Sequence, residues 1–363
     1  MDRLNVKHVA FLILSTTIVS MKTYPKVFTE NGMRESWVAV IISSVLILLF
    51  LIFVIQTCKR KNNFHLMEIY QQALGKPLGN FFIFLFIITL FLTLIEAAAV
   101  EANSMHTNML AETPVWFFVL LFVVPAIYTV KQDLVAIVTV TIIGLLFITI
   151  AGINLGFLTN RYKHWEFLFP IFPNGITKGF ILSILQTLGL YGHVSIVLPY
   201  LNRLGSSKKN VLSSMLIGLL YVVQMQIISI TGVISTFDIE RINSMAYPKL
   251  LQTQLVSRFQ FLEAGELYVM LQIIGGWFIK YTVTFYAMIR LLKDYGIEKK
   301  WMIYVITVPV GIFSYLVGNK LLVLFEFLNY FTYIALANYV IIPLIVFTIF
   351  SLKAQPKISE NIQ

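Results

Sequence analysis

The chain has 363 residues, 58% of them hydrophobic and only 12% charged, with a net charge of +10 and a single cysteine. Soluble domains carry about a quarter of charged residues, so this composition excludes a soluble globular fold, and the lone Cys58 excludes an internal disulfide or a cysteine-rich metal site. The basic residues fall in short loops between apolar runs, which points to a lipid bilayer and not to nucleic acid as the partner.

About ten apolar runs of roughly 17–30 residues recur, each long enough to cross about 30 Å of hydrocarbon. The sequence therefore predicts an all-α integral membrane protein forming a single polytopic domain over 1–363. The first span covers about Val9 to Phe28 and loses its apolar character at Ser20-Met21-Lys22-Thr23, ahead of Tyr24-Pro25. Pro25 disfavours helix at the residue before it. Lys22 is a charge inside the span, facing either protein and water or snorkelling to the nearer interface. The second span starts at Trp37 and ends near Thr57, before Lys59-Arg60-Lys61.

Phe64 to Leu74 predicts a short interfacial helix stopped by Gly75. The third span, from Leu78 to about Val100, carries Glu96, with Glu101 just beyond. Five residues apart on a helix, the two carboxylates are displaced by about 140° and do not share a face. The fourth span follows Glu112-Thr113-Pro114, the fifth covers about Leu134 to Leu158, and a wetter loop occupies 159–175.

The sixth span, about Phe180 to Leu201, is interrupted at its middle by Gly189-Leu190-Tyr191-Gly192-His193. Two glycines make a local break cheap, and freed backbone groups at membrane depth are tolerated where they line a cavity. That makes the segment a candidate site for a small zwitterion; helix packing by small residues is the competing reading. A seventh span follows, about Val211 to Ser235. The stretch between Thr236 and Glu266 has Leu250, Leu251, Leu255, Phe259 and Leu262 at roughly helical spacing, either as a lid over a cavity or as a passive surface helix.

The eighth span, Leu267 to about Leu292, holds Lys280 too deep to snorkel easily, so that it needs a partner or a cavity. Thr282 and Tyr286 share a face four apart, with Thr284 nearby. The ninth span is about Trp301 to Val317, and the tenth, about Leu321 to Phe350, contains Glu326. Ten spans put both termini on one side. Lys59, Arg60, Lys61, Arg203, Lys208, Lys209, Arg290, Lys293, Lys299, Lys300 and the tail residues Arg3, Lys7 and Lys357 fall on that side, the cytoplasmic one by the positive-inside rule.

No phosphate loop, metal-ligand spacing or nucleophile elbow is present, so no enzyme and no cofactor are expected. The candidate ligand residues are Ser20, Met21, Thr23, Gly189, Tyr191, Gly192, His193, Thr282, Thr284 and Tyr286. The candidate charge or gating residues are Lys22, Glu96, Lys280 and Glu326.

Several of these stretches carry a resemblance. Gly32-Met33-Arg34-Glu35-Ser36-Trp37, Leu74-Gly75-Lys76-Pro77-Leu78-Gly79, Leu198-Pro199-Tyr200, and Phe261-Leu262-Glu263 followed by Trp277-Phe278-Ile279-Lys280 occur in order. With them the chain resembles the endospore germination permeases, the B subunits of nutrient germinant receptors within the amino acid/polyamine/organocation superfamily. It departs from the family pattern at Ala264 and Val138, where basic residues are common, and in the first-span break, which is glycine-rich there.

The resemblance implies a five-plus-five inverted repeat of LeuT-like architecture, with repeat one at about 7–158, repeat two at about 176–350 and a tail at 351–363. The two interrupted spans fall at corresponding places in the two halves, as such a repeat requires. It further implies a receptor A subunit and a lipoprotein C subunit as partners, the spore inner membrane as location, and a small germinant, an amino acid, as ligand. An active amino-acid transporter, proton-coupled or not, is the alternative class.

Overall fold

The computed structural model describes residues 4–132, 134–173, 175–205, 210–256, 264–299 and 301–353. Arg3, Lys208, Lys209, Phe259, Lys300, Lys357 and the Phe261-Leu262-Glu263 stretch lie outside the described residues. Among those described, the chain is helical apart from loops and one isolated bridge between Leu4 and Leu204.

In order the α-helices are α1 (Val6–Thr17), α2 (Val19–Thr23), α3 (Lys26–Gly32), α4 (Ser36–Arg60), α5 (Leu66–Leu74), α6 (Lys76–Asn108), α7 (Val115–Lys131) and α8 (Leu134–Leu158). After the loop come α9 (Lys178–Tyr191), α10 (Val211–Thr236), α11 (Ile239–Ser244), α12 (Pro248–Gln254), α13 (Ala264–Asp294), α14 (Met302–Gly318), α15 (Leu321–Ala335) and α16 (Ile342–Leu352). Among the described residues, six helical stretches are long and apolar enough to cross a membrane: Lys26–Arg60, Lys76–Asn108, Leu134–Leu158, Lys178–Arg203, Val211–Thr236 and Leu321–Leu352. Val115–Lys131 and Met302–Gly318 are apolar but shorter.

Local chemistry sets the helix ends. The Asn5 side chain accepts the Lys7 N–H at α1, and Thr177 accepts the Phe180 N–H at α9. The short helix expected at 64–74 forms as α5. His65 caps its start by accepting from the Glu68 N–H, and Gly75 ends it with a φ of 84° that a side chain would resist.

The stretches expected as the first and sixth spans are both irregular, in different ways. The first is interrupted at Ile18, between α1 and α2, where the dihedrals stay right-handed helical, and leaves helical geometry at Tyr24. The break expected at Ser20–Thr23 thus sits earlier: Ser20 to Thr23 are wound into α2, and the irregular residues flank them. The Gln226 amide on α10 donates to the carbonyls of Thr17 at 3.3 Å and Ile18 at 2.9 Å, satisfying acceptors that the break frees.

In the sixth span the chain changes at Gly192 from α9 into a 3₁₀ helix, Gly192–Arg203, whose residues Gly192 to Leu201 are all buried. A 3₁₀ run of this length is unusual and marks a segment held by its surroundings. Opposite it, Leu336–Ile341 winds as a π-helix between α15 and α16. Gly189 permits that approach. A β-carbon there would lie 2.1 Å from the Thr332 carbonyl oxygen.

α13 runs through the centre of the molecule, packed on α8, α6, α1 and α7. Trp277, Lys280, Tyr281 and Phe285 on it are among the largest fully buried side chains. α5 packs against α16 and the 3₁₀ segment, and Leu4 pairs with Arg203 and Gly205. The first and last described residues therefore lie at one end of the bundle.

Candidate functional site

Four chain segments meet at one buried charge cluster. Glu96 on α6, His193 at the start of the 3₁₀ segment and Lys280 on α13 all have 0% exposure. Lys280 Nζ donates to Glu96 Oε2 at 2.7 Å and to Ser20 Oγ at 2.6 Å. Ser20 Oγ in turn donates to Glu96 Oε1 at 2.8 Å, and Tyr24 OH donates to the same oxygen at 2.5 Å. α2 and the residue after it thus supply two hydroxyls to one carboxylate.

His193 Nδ1 lies 2.7 Å from the Leu190 carbonyl and must donate to it. Its Nε2 is then the nitrogen facing Lys280 Nζ at 3.5 Å and Glu96 Oε2 at 3.6 Å. Trp277, three residues before Lys280 and on the same face, puts its ring 5.0 Å from the ammonium and stacks on Tyr24 at 6.2 Å. Charge and hydrogen bonds balance within the cluster, which is the condition under which a buried ion pair persists. Among the described residues no group of three or more His, Cys, Asp or Glu side chains gathers as a metal ion requires.

The other expected site residues are distributed differently. Met21 is buried, and Thr23 bonds back to the Val19 carbonyl at 2.9 Å. Gly189 and Gly192 face the tenth span, where β-carbons would meet Thr332, Tyr339 and Val340. Tyr191 bonds Ser44 on α4 at 2.8 Å, and Thr282 donates to its own helix at Ile279. Thr284 is buried with its hydroxyl unbonded, and Tyr286 stacks on Tyr200 at 5.8 Å toward the end of the bundle that holds both termini. Glu326 is exposed on α15, away from the cluster. Lys22 points away from it too, into a cavity on the far side of α2 that Thr23, Gly276 and Ile279 also line.

Three contributors escaped the sequence reading. Tyr24 was legible only as the residue before Pro25. Trp277 stands one turn from Lys280, which is a usable signal. Gln226, an amide in the middle of a span, is the kind of residue that bonds across helices in hydrocarbon.

Comparison with known proteins adds one finding. A family model described as spore germination protein matches residues 3–316, from α1 through most of α14. A search of curated proteins returns no match.

Proposed function

The chain belongs to the spore germination protein family, a family of membrane permeases, and from that premise we propose that it is the membrane subunit of a nutrient germinant receptor. In this reading it spans the inner membrane of the spore about ten times, as a five-plus-five inverted repeat with both termini in the cytoplasm. It binds a small germinant, an amino acid, near the midplane and passes the signal to A and C partner subunits.

The observation that carries the reading is the Glu96–Lys280 pair, held where the two irregular spans meet. An α-amino acid is a zwitterion whose two charges complement this pair. Its carboxylate competes for the Lys280 ammonium and its ammonium for the Glu96 carboxylate, so the buried site stays neutral throughout the exchange. Ser20 on α2 and Tyr24 just after it bind Glu96, and α2 is a five-residue segment set off at both ends. Ligand entry would loosen α2 from α6 and α13, and that is the movement a partner subunit can read.

The test uses purified full-length protein and a panel of L-amino acids. At least one should raise the melting temperature, and Lys280→Met should abolish the shift. No stabilisation by any amino acid counts against the reading. Uptake of the stabilising amino acid into proteoliposomes separates a sensor, which does not accumulate it, from an active transporter, which does.

A further inference from the structure

A second cluster of charges sits apart from the first, at the end of the bundle away from the termini. Lys22 comes from α2, Lys163 from the loop after α8 and Lys249 from α12. All three line one cavity of about 50 Å³. A smaller cavity of about 30 Å³ shares Lys22, Lys249 and Gln272 with it. No carboxylate lines either cavity among the described residues.

Of the polar side chains that line the larger cavity, the three lysines can only donate. Among the described residues, Lys249 Nζ donates only to the Gln252 side-chain oxygen, at 2.7 Å. Gln252 spends its own amide on Gly232 and Thr236. Lys163 lies 5.6 Å from the Trp165 ring, and Lys22 bonds no described residue. Three like charges gathered around a small recess repel one another unless an anion joins them. A water needs about 10–15 Å³ measured this way, so the recess takes a group the size of a few waters.

We propose that Lys22, Lys163 and Lys249 form a binding site for a small anionic group, of halide or carboxylate size, separate from the Glu96–Lys280 cluster. Both a free inorganic anion and the carboxylate of an incoming nutrient have this chemistry. α12 closes over the site, packed on α2, α10 and α13. Burial and the charges of Lys22 and Lys163 pull the Lys249 ammonium from its ordinary 10.5 down to about 7, so anion affinity should fall as pH rises through neutrality.

Melting of the purified full-length protein is compared in sodium bromide, sodium acetate and sodium gluconate at equal ionic strength. Bromide and acetate should raise the melting temperature by several degrees over the bulkier gluconate. The Lys163→Gln/Lys249→Gln variant should lose that difference. Equal behaviour in all three salts, or the same difference in the variant, overturns the site.

Should the variant fold poorly, anomalous scattering from bromide in wild-type crystals decides: a peak among the three lysines supports the site, and none at saturating bromide refutes it. Displacement of bound bromide by an α-amino acid identifies the nutrient's carboxylate as an occupant, and bromide that stays put identifies a free inorganic anion. Neither ion carries an ammonium, so the result stands whether or not the Glu96–Lys280 cluster binds an amino acid.

Discussion

Lys280 and Glu96, 184 residues apart in the chain, meet across 2.7 Å with neither side chain exposed. Removing one member of such a pair leaves a buried charge uncompensated, at a cost of about 3–5 kcal/mol, whereas removing both can be near neutral. Lys280→Met alone should therefore lower the melting temperature markedly. Adding Glu96→Gln should recover most of the loss, and a double-mutant cycle gives the coupling. Lys280→Arg should not restore germinant sensitivity, because the planar guanidinium does not reproduce the two short ammonium contacts to Glu96 and Ser20. Wild-type stability and sensitivity in Lys280→Met would refute a part for the pair in switching.

The glycines of the sixth span rank by what a β-carbon would strike. Gly189→Ala puts it 2.1 Å from the Thr332 carbonyl oxygen, part of a backbone that cannot turn aside. Gly192→Ala meets Val340 Cγ2 at 2.9 Å, a side chain able to shift. Overpacking costs about 1–3 kcal/mol, so Gly189→Ala should melt lowest, Gly192→Ala above it, and Gly156→Ala, with nothing within 4 Å, like wild type. Gly192→Leu should abolish the germinant response while the protein still reaches the membrane. A reversed order of melting temperatures would show that the two glycines do not serve the approach of the tenth span.

α12 tests the lid. Cysteines at Leu251 and Leu255 should lose reactivity toward a soluble thiol reagent when a binding amino acid is present. The native Cys58 is buried and gives little background. Equal labelling with and without ligand identifies α12 as a passive surface helix.

His65 and Asp294 join α5 to the end of α13, with His65 Nε2 3.6 Å from Asp294 Oδ1. The Asp294 hydrogen bond raises the His65 pKa above its ordinary 6.5; burial and Arg290 oppose the shift, and Glu68 supports it. A raised folded-state value means that the contribution is complete below pH 6.5 and is lost as pH rises through the folded value. Asp294→Asn should remove that slope in melting temperature between about pH 6 and 8. A slope unchanged by the substitution would assign it to other groups.

Lys249 works with the opposite sign. Its folded value near 7 lies below its ordinary 10.5, so the unfolded chain holds the extra proton between them and stability rises with pH across that window. Lys22 and Lys163 are the charges that face it. Lys249→Met should flatten the rise and make the protein more stable than wild type near pH 6. A variant as pH-dependent as wild type would exclude Lys249 as the source.

Hydropathy and local caps alone point to the class of the molecule and to many of its helix limits. A 25-residue apolar run with no charge became α8 over the residues expected, Leu134–Leu158, and Gly75 ended α5 where the local rule puts a stop. Glu96 and Lys280 stood out because a charge deep in an apolar span needs a reason. Those signals are local, since hydropathy and caps act within one or two helical turns.

Tertiary packing decided the rest. Ser20 and Tyr24 bind Glu96 only because α2 lies against α6 and α13. Lys22, two residues from Ser20, turns to the opposite side of α2 and joins Lys163 and Lys249. Gln226 answers the break at Ile18 from more than two hundred residues away, and the π-helical turn at Leu336–Ile341 forms against the change of helix type at Gly192. No periodicity within a single span carries that information. The angle at which one helix crosses another selects which face of each turn meets a partner, and the angle is set by side chains on both.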